Sequence, residues 1–194
     1  MSSHILTYTG KYIDLEAPKI EDLDLEDIAH ALSNIGRFTG HTEEFYSVAQ
    51  HSVLASKIAR RLHGEEAALS LLFHDAHEAY LGDVSHPLKR LIIQDYSRLA
   101  RRFDDLLALK FEYKAMPNKV YEIDTRLCLS EAKQLMRADL DSGFWPAGQI
   151  YPFLKIIPWQ PKIAESEFVR TYYTLVSDNY AKISSTGRGG GCYV

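Results

Sequence analysis

Cysteine is scarce in this chain, with 2 among 194 residues. Cys128 and Cys192 lie in unlike settings and form no C-x-x-C pair, which excludes a disulfide framework and a thiolate zinc site; Cys128 reads as a small buried apolar residue. Long apolar runs are also missing. No stretch approaches the roughly 20 residues that cross a bilayer, and the amino terminus MSSHILTYTGKYID has neither the charged start nor the apolar middle of a signal peptide. A cytoplasmic chain without a membrane partner is expected. Positive charge is not in excess either: 22 Lys and Arg stand against 26 Asp and Glu, a net charge of −4. That balance argues against the broad basic surface that a nucleic-acid polymer needs, and leaves small anionic ligands as candidates. No internal repeat and no interdomain linker is visible, and a domain of this length buries a core without a disulfide or a structural metal.

What the chain does have is apolar periodicity at helical spacing. Ile5, Tyr8, Tyr12 and Ile13 around Thr9-Gly10 predict a short hairpin over residues 4–14. Leu25, Ile28, Leu32 and Ile35 follow the candidate cap Asp24, and Gly36 supplies a stop. Further helices are expected over 44–63, with Ala55, Ile58 and Leu62 inward, then over 65–81, 96–113 and 119–139. Phe168, Tyr172, Leu175 and Val176 mark a last one. His86-Pro87 places a loop near 82–88, and 140–162, with its Trp-Pro, Ile-Pro and Gln-Pro pairs, reads as irregular. The expected architecture is all-α, a single helical bundle over 1–183, with a mobile Gly-rich tail over 184–194.

One stretch breaks the pattern. In LLFHDAHEAYLGDVSHPLK, residues 71–89, the polar His74, Asp75 and Glu78 interrupt an apolar run. The steps Ala67, Leu71, His74, Glu78 and Leu81 put His74 and Glu78 on the inward face, with Asp75 beside them. The stripe Ala55–Ile58–Leu62 extends back to His51, and the stripe of the helix from 119 includes Asp124. Four donors thus converge from three helices. Two carboxylates buried together are costly without a compensating cation, and two imidazoles with two carboxylates suit a first-row divalent ion such as Mn, Fe, Co, Ni or Zn rather than calcium.

With those residues in view, the sequence resembles the HD-domain metal-dependent phosphohydrolases, and within them the small 5′-deoxynucleotidase-like branch. The likeness rests on LSNIGRFTGHTEEFYSVAQH (32–51), HDAHEAYLGDVSHPLK (74–89) and IDTRLCLSEA (123–132), and covers most of residues 5–150. FYSVAQH and GFWP look most like phage and prophage members, among them enzymes that convert dATP to deoxyadenosine and triphosphate.

The resemblance implies His51, His74, Asp75 and Asp124 as metal ligands, and Glu78 and Asp83 as catalytic acids or bases. It implies Arg37, Phe38, Gly40, His41, Pro87 and Lys89 as substrate contacts, with Lys89 and Arg90 near phosphate oxygens. Phe38 stands where relatives commonly carry tryptophan, and so offers a ring without an indole N–H. Glu131, one heptad beyond Asp124, reads as a structural partner. The activity implied is cleavage of the 5′ phosphate ester of a 2′-deoxynucleotide, a triphosphate of the dATP type being favoured. A 5′-deoxynucleotidase acting on monophosphates and a non-catalytic nucleotide-binding module are the alternatives. A homo-oligomer in the cytoplasm, a host's if the gene is phage-borne, is also implied.

Overall fold

The computed structural model describes residues 2–186, with side chains to residue 178. Strands β1 (His4–Leu6) and β2 (Tyr12–Asp14) pair antiparallel, Ile5 opposite Ile13, as the hairpin motif predicts. Among the described residues eight α-helices follow: α1 (Leu25–Asn34), α2 (Val48–His63), α3 (Glu65–Phe73), α4 (Glu78–Leu81), α5 (His86–Leu91), α6 (Ile93–Lys110), α7 (Pro117–Leu135) and α8 (Pro161–Thr186). The protein is all-α apart from the hairpin. Among the described residues no helix is long and apolar enough to cross a membrane.

Local chemistry explains where the elements begin. The Asp24 carboxylate accepts from the N–H of Glu26 and caps α1. Buried Asp27 accepts from both the backbone N–H and the hydroxyl of Thr9, at 2.7 and 2.8 Å, and so fastens the hairpin to α1. Ser47 caps α2 by accepting from the N–H of Gln50. Gly64, at φ 88°, ends α2 and turns the chain straight into α3, a backbone conformation that costs a glycine little.

Small residues then let α2 and α3 lie close together. Ala55, Ala59, Ala67 and Ala68 are buried, and the Ser56 hydroxyl donates to the carbonyl of Ala68 at 2.8 Å. α8 packs across α1, α2 and α3. One apolar cluster centres on Phe73, whose ring meets those of Phe111 and Phe168 at 4.6 and 5.9 Å. A second holds Tyr46, Leu71, Ile123 and Leu127 between α2, α3 and α7. Each of these large side chains contributes about 1.5–3 kcal/mol by leaving water. His51 is placed by the helix shared between the two clusters.

Several expectations are corrected. Leu62 is 51% exposed, because the inward face of α2 follows Ala55 and Ala59 and the helix end leaves the core. The helix expected over 65–81 is broken at 74–77, where the chain tightens: the N–H of Ala76 bonds the carbonyl of Phe73, and that of Glu78 bonds Asp75. The loop expected at 82–88 shortens to 82–85, since Pro87 sits in the first turn of α5, where its missing N–H costs nothing. Residues 184–186 belong to α8, and the rest of the expected tail lies outside the described residues, as does Cys192. Residues 140–160 are irregular as expected, whereas 136–139, expected to be helical, lie beyond the end of α7 at Leu135, and 161–162, expected to be irregular, open α8 at Pro161. The irregular segment is fastened by side-chain amides, Gln50 donating to Ile157 O and accepting from Trp159 N at 2.8 Å each, and Gln134 doing the same for Leu154 and Ile156.

Candidate metal and acid–base site

His51 sits one turn into α2, with no solvent exposure. Its Nδ1 lies 2.7 Å from Glu131 Oε1, and the Nδ1 of His74, at the end of α3, lies 2.7 Å from the carbonyl oxygen of Leu71. A carboxylate and a carbonyl only accept, so both rings carry their proton on Nδ1. Both Nε2 lone pairs therefore point into one space, 3.2 Å apart.

Carboxylates complete that space. Asp124 Oδ1 on α7 is 3.1 Å from His51 Nε2 and 3.9 Å from His74 Nε2. Asp75 Oδ2, in the tightened turn, is 3.2 Å from His74 Nε2 and 3.7 Å from His51 Nε2. Two nitrogens and two oxygens, each an acceptor, would repel one another without a cation among them. The separations suit neighbouring ligands on one ion, for which bonds of about 2.1 Å set ligand edges of about 3.0–3.4 Å at tetrahedral or octahedral angles. Asp124 Oδ1 is moreover buried and receives no hydrogen bond. His51, His74 and Asp124 form a cluster whose donor atoms all lie within 4.8 Å of one another and could hold a metal ion; Asp75 stands at its edge.

The electrostatics express the same demand for positive charge. Burial disfavours charge on the imidazoles, and Arg37 adds to this at His51. Even so, Glu131 and Asp124 around His51, and Asp75 and Asp124 around His74, raise both rings above their ordinary range. Burial would raise Asp75 and Asp124, but the same imidazoles outweigh it and hold both carboxyls low.

Behind the ligands lies a layer that the sequence only half disclosed. Glu131, fully buried, accepts from His51 Nδ1, from the Tyr46 hydroxyl at 2.7 Å and from Arg37 Nε at 3.1 Å. Arg37 also brings its terminal nitrogens to 3.5 Å from Asp75 and 4.0 Å from Asp124. Two backbone bonds fix Arg37 there, from its N–H to Tyr46 O and from Val48 N–H to Ile35 O. Tyr46 was not expected. Its only sequence signal is a tyrosine hydroxyl next to a cap, which is too common to single out. Cys128 is a half-buried thiol that burial pushes up to about 12.

The candidate acid–base pair lies on the α4 side. Glu78 is buried, and desolvation, reinforced by Asp75, pushes it up to about 7 against the pull of Lys89. Lys89 Nζ meets Glu78 Oε1 at 2.7 Å, while Oε2 is buried without a partner. Asp83, in the 82–85 connection, is half-buried and likewise raised by burial. Lys89, expected to reach a phosphate, is thus joined to Glu78, while Arg90 and Pro87 face solvent on α5.

Phe38 lies under Arg37, its ring 5.4 Å from the guanidinium carbon, and edge-on to Trp145 at 6.4 Å. The backbone is left-handed at Phe38, Thr39 and Gly40, with φ of 54°, 55° and 76°; such a run costs about 1–2 kcal/mol per non-glycine residue. His41 is exposed and borders a cleft shared with Trp145.

No protein-family model matches the chain. It is 36% identical over 178 residues to a protein described as the uncharacterized protein YfdR of Escherichia coli (strain K12), covering 89% of this chain and 96% of that protein. It is also 37% identical over 113 residues to an uncharacterized protein of Rhodobacter capsulatus, covering 56% of this chain and 58% of that protein.

Proposed function

The chain belongs to the family of the Escherichia coli protein YfdR, and we propose that it is a metal-dependent phosphohydrolase of the HD-domain type that cleaves the 5′ phosphate ester of 2′-deoxynucleotides. The observation that carries this reading is one juxtaposition. Four metal-type donors face one another around one space, with the Arg37 guanidinium at its edge, and a buried carboxyl poised near neutrality stands one turn away.

His51, His74, Asp75 and Asp124 would hold a divalent transition ion such as Co, Mn, Zn, Ni or Fe. When bound, such an ion supplies charge neutralisation at the phosphate and acidifies water. The chain's own groups do the rest. Arg37 and Glu131 keep Asp75, Asp124 and His51 oriented. Glu78, protonated for part of the time at neutral pH, gives its proton to the 5′ oxygen as the bond from phosphorus to that oxygen breaks. Water adds its oxygen to phosphorus, and its released proton restores Glu78, with Asp83 orienting the exchange. Lys89 holds Glu78 in place and brings a positive charge to the phosphate end. A triphosphate substrate, dATP foremost, would yield deoxynucleoside and triphosphate; a monophosphate would yield orthophosphate.

The test is to strip the protein of metal, reload it with cobalt, incubate it with each deoxynucleoside mono- and triphosphate, and identify the phosphate released. Triphosphate from dATP is the expected product. Orthophosphate from monophosphates alone would make the protein a 5′-deoxynucleotidase, and no product with any added metal would leave a nucleotide-binding module.

A further inference from the structure

Arg37 meets the ring of Phe38, and Phe38 meets Trp145, which lines a cleft of about 500 Å3 together with His41, Asp139, Ser142 and Phe144. Of the residues lining it, only His41 belongs to the contacts expected from the sequence. Three features suit the cleft to a planar ring with polar edges. Trp145 lines it, and Phe38, presented by strained left-handed backbone, meets the Trp145 ring edge-on at 6.4 Å. Phe144 stands 93% exposed at the rim, a large apolar surface left in water that a stacked ring would cover. Asp139 is held by a turn: its Oδ1 accepts from the N–H of Asp141 at 3.1 Å, and its carbonyl accepts from the Ser142 hydroxyl at 2.7 Å. That leaves Oδ2 as an acceptor.

The charge of the cleft gives it a direction. Its guanidinium, Arg137, is paired with Glu43 at 3.4 Å, and with Asp139 the lining is net negative. Phosphates are disfavoured here and favoured beside Lys89 and the metal-type donors.

We propose, resting on the deoxynucleotide reading above, that this cleft seats the nucleobase. Trp145 is the stacking surface, and Asp139 is the acceptor that selects bases bearing an exocyclic amino group over thymine. An amino group donates to a carboxylate, whereas the corresponding carbonyl of thymine presents a second acceptor and leaves both unpaired. A charge-assisted hydrogen bond of this kind supports a preference of roughly tenfold or more.

The protein has 2 tryptophans, so Trp159→Phe leaves Trp145 as the reporter of fluorescence. Titration of this variant with deoxyadenosine and with thymidine, without metal, is expected to give saturable quenching at a deoxyadenosine concentration roughly tenfold lower. Asp139→Asn should close that gap. Should Trp159→Phe fold poorly, the difference between the unaltered protein and Trp145→Phe reads the same signal. Absence of saturable quenching by all four deoxynucleosides, or equal responses to deoxyadenosine and thymidine, overturns the proposal. The ligands carry no phosphate, so the two readings fail separately. Nucleoside binding without phosphate release sinks the hydrolase and spares the cleft, while nucleotide hydrolysis indifferent to Trp145→Ala and Asp139→Asn sinks the cleft alone.

Discussion

Glu131 Oε1 lies 2.7 Å from His51 Nδ1, both side chains being wholly excluded from solvent. The contact joins residues 80 positions apart and settles which nitrogen of His51 is left to face Asp124. Glu131→Ala removes the acceptor from His51, Tyr46 and Arg37 together and is expected to destabilise the fold by about 3–5 kcal/mol. Glu131→Gln keeps most of the shape but turns an N–H toward Arg37 or His51. It should remain folded while metal affinity falls by about 10–100-fold, as read by calorimetric titration with cobalt. Unchanged affinity in a folded Glu131→Gln protein would refute the assignment of His51 as a ligand held by Glu131.

Asp124→Ala and Asp75→Ala separate the two carboxylates. Asp124 belongs to the compact donor cluster, so its loss should abolish the cobalt absorption bands. Asp75→Ala removes a carboxylate 3.7 Å from His51 Nε2 at the cluster's edge and is expected to abolish metal binding as well, because Asp75 completes the sphere. Bands that persist unaltered in Asp75→Ala would restrict the site to three protein ligands.

Glu78→Ala should keep its metal and lose turnover. As a proton donor with its carboxyl pushed up to about 7 by burial and Asp75, Glu78 makes the rate fall as pH rises through that value. Lys89 lowers this pKa, so Lys89→Met should raise it and carry the alkaline limb of kcat to higher pH. A limb that moves to lower pH, or not at all, contradicts the pairing of these two residues.

Metal uptake should weaken in acid, because protons compete for His51 and His74, whose pKa values the surrounding carboxylates raise against burial. The signs for the two forms are opposite. In metal-free protein, a histidine with a raised folded-state pKa contributes stability that is present below its ordinary 6.5 and is lost as pH rises through the folded value. In loaded protein, the ion's contribution grows as those protons leave. The increment in Tm on adding cobalt should therefore widen as pH rises through the range above 6.5, and an increment independent of pH would argue that the two imidazoles do not bind the ion.

Much of this arrangement was legible in the chain because it is written in local periodicity. An imidazole at His51 on the stripe of Ala55, and His74 three residues from Leu71, must face the core wherever that core is. The cap Asp24, the hairpin around Gly10 and the helical class follow from the same short-range rules. Leu62 escaped them because a helix end can leave the core without any change of pattern. The break at 74–77 escaped because no glycine or proline marks it: the turn tightens in place of a straight helix, with His74 Nδ1 held on Leu71 O.

Residue order alone was sufficient to choose helices, to point four metal-type donors inward and to set Glu78 one turn beyond His74, since each of these depends on neighbours within a turn or two. Packing was needed for everything that joins distant segments: the Nε2 atoms of His51 and His74 at 3.2 Å, Glu131 beneath His51, Lys89 turned onto Glu78, and Trp145 brought to Phe38. Those relations depend on how helices cross and how a loop returns, and the free energy that selects them comes from burying the two apolar clusters as a whole.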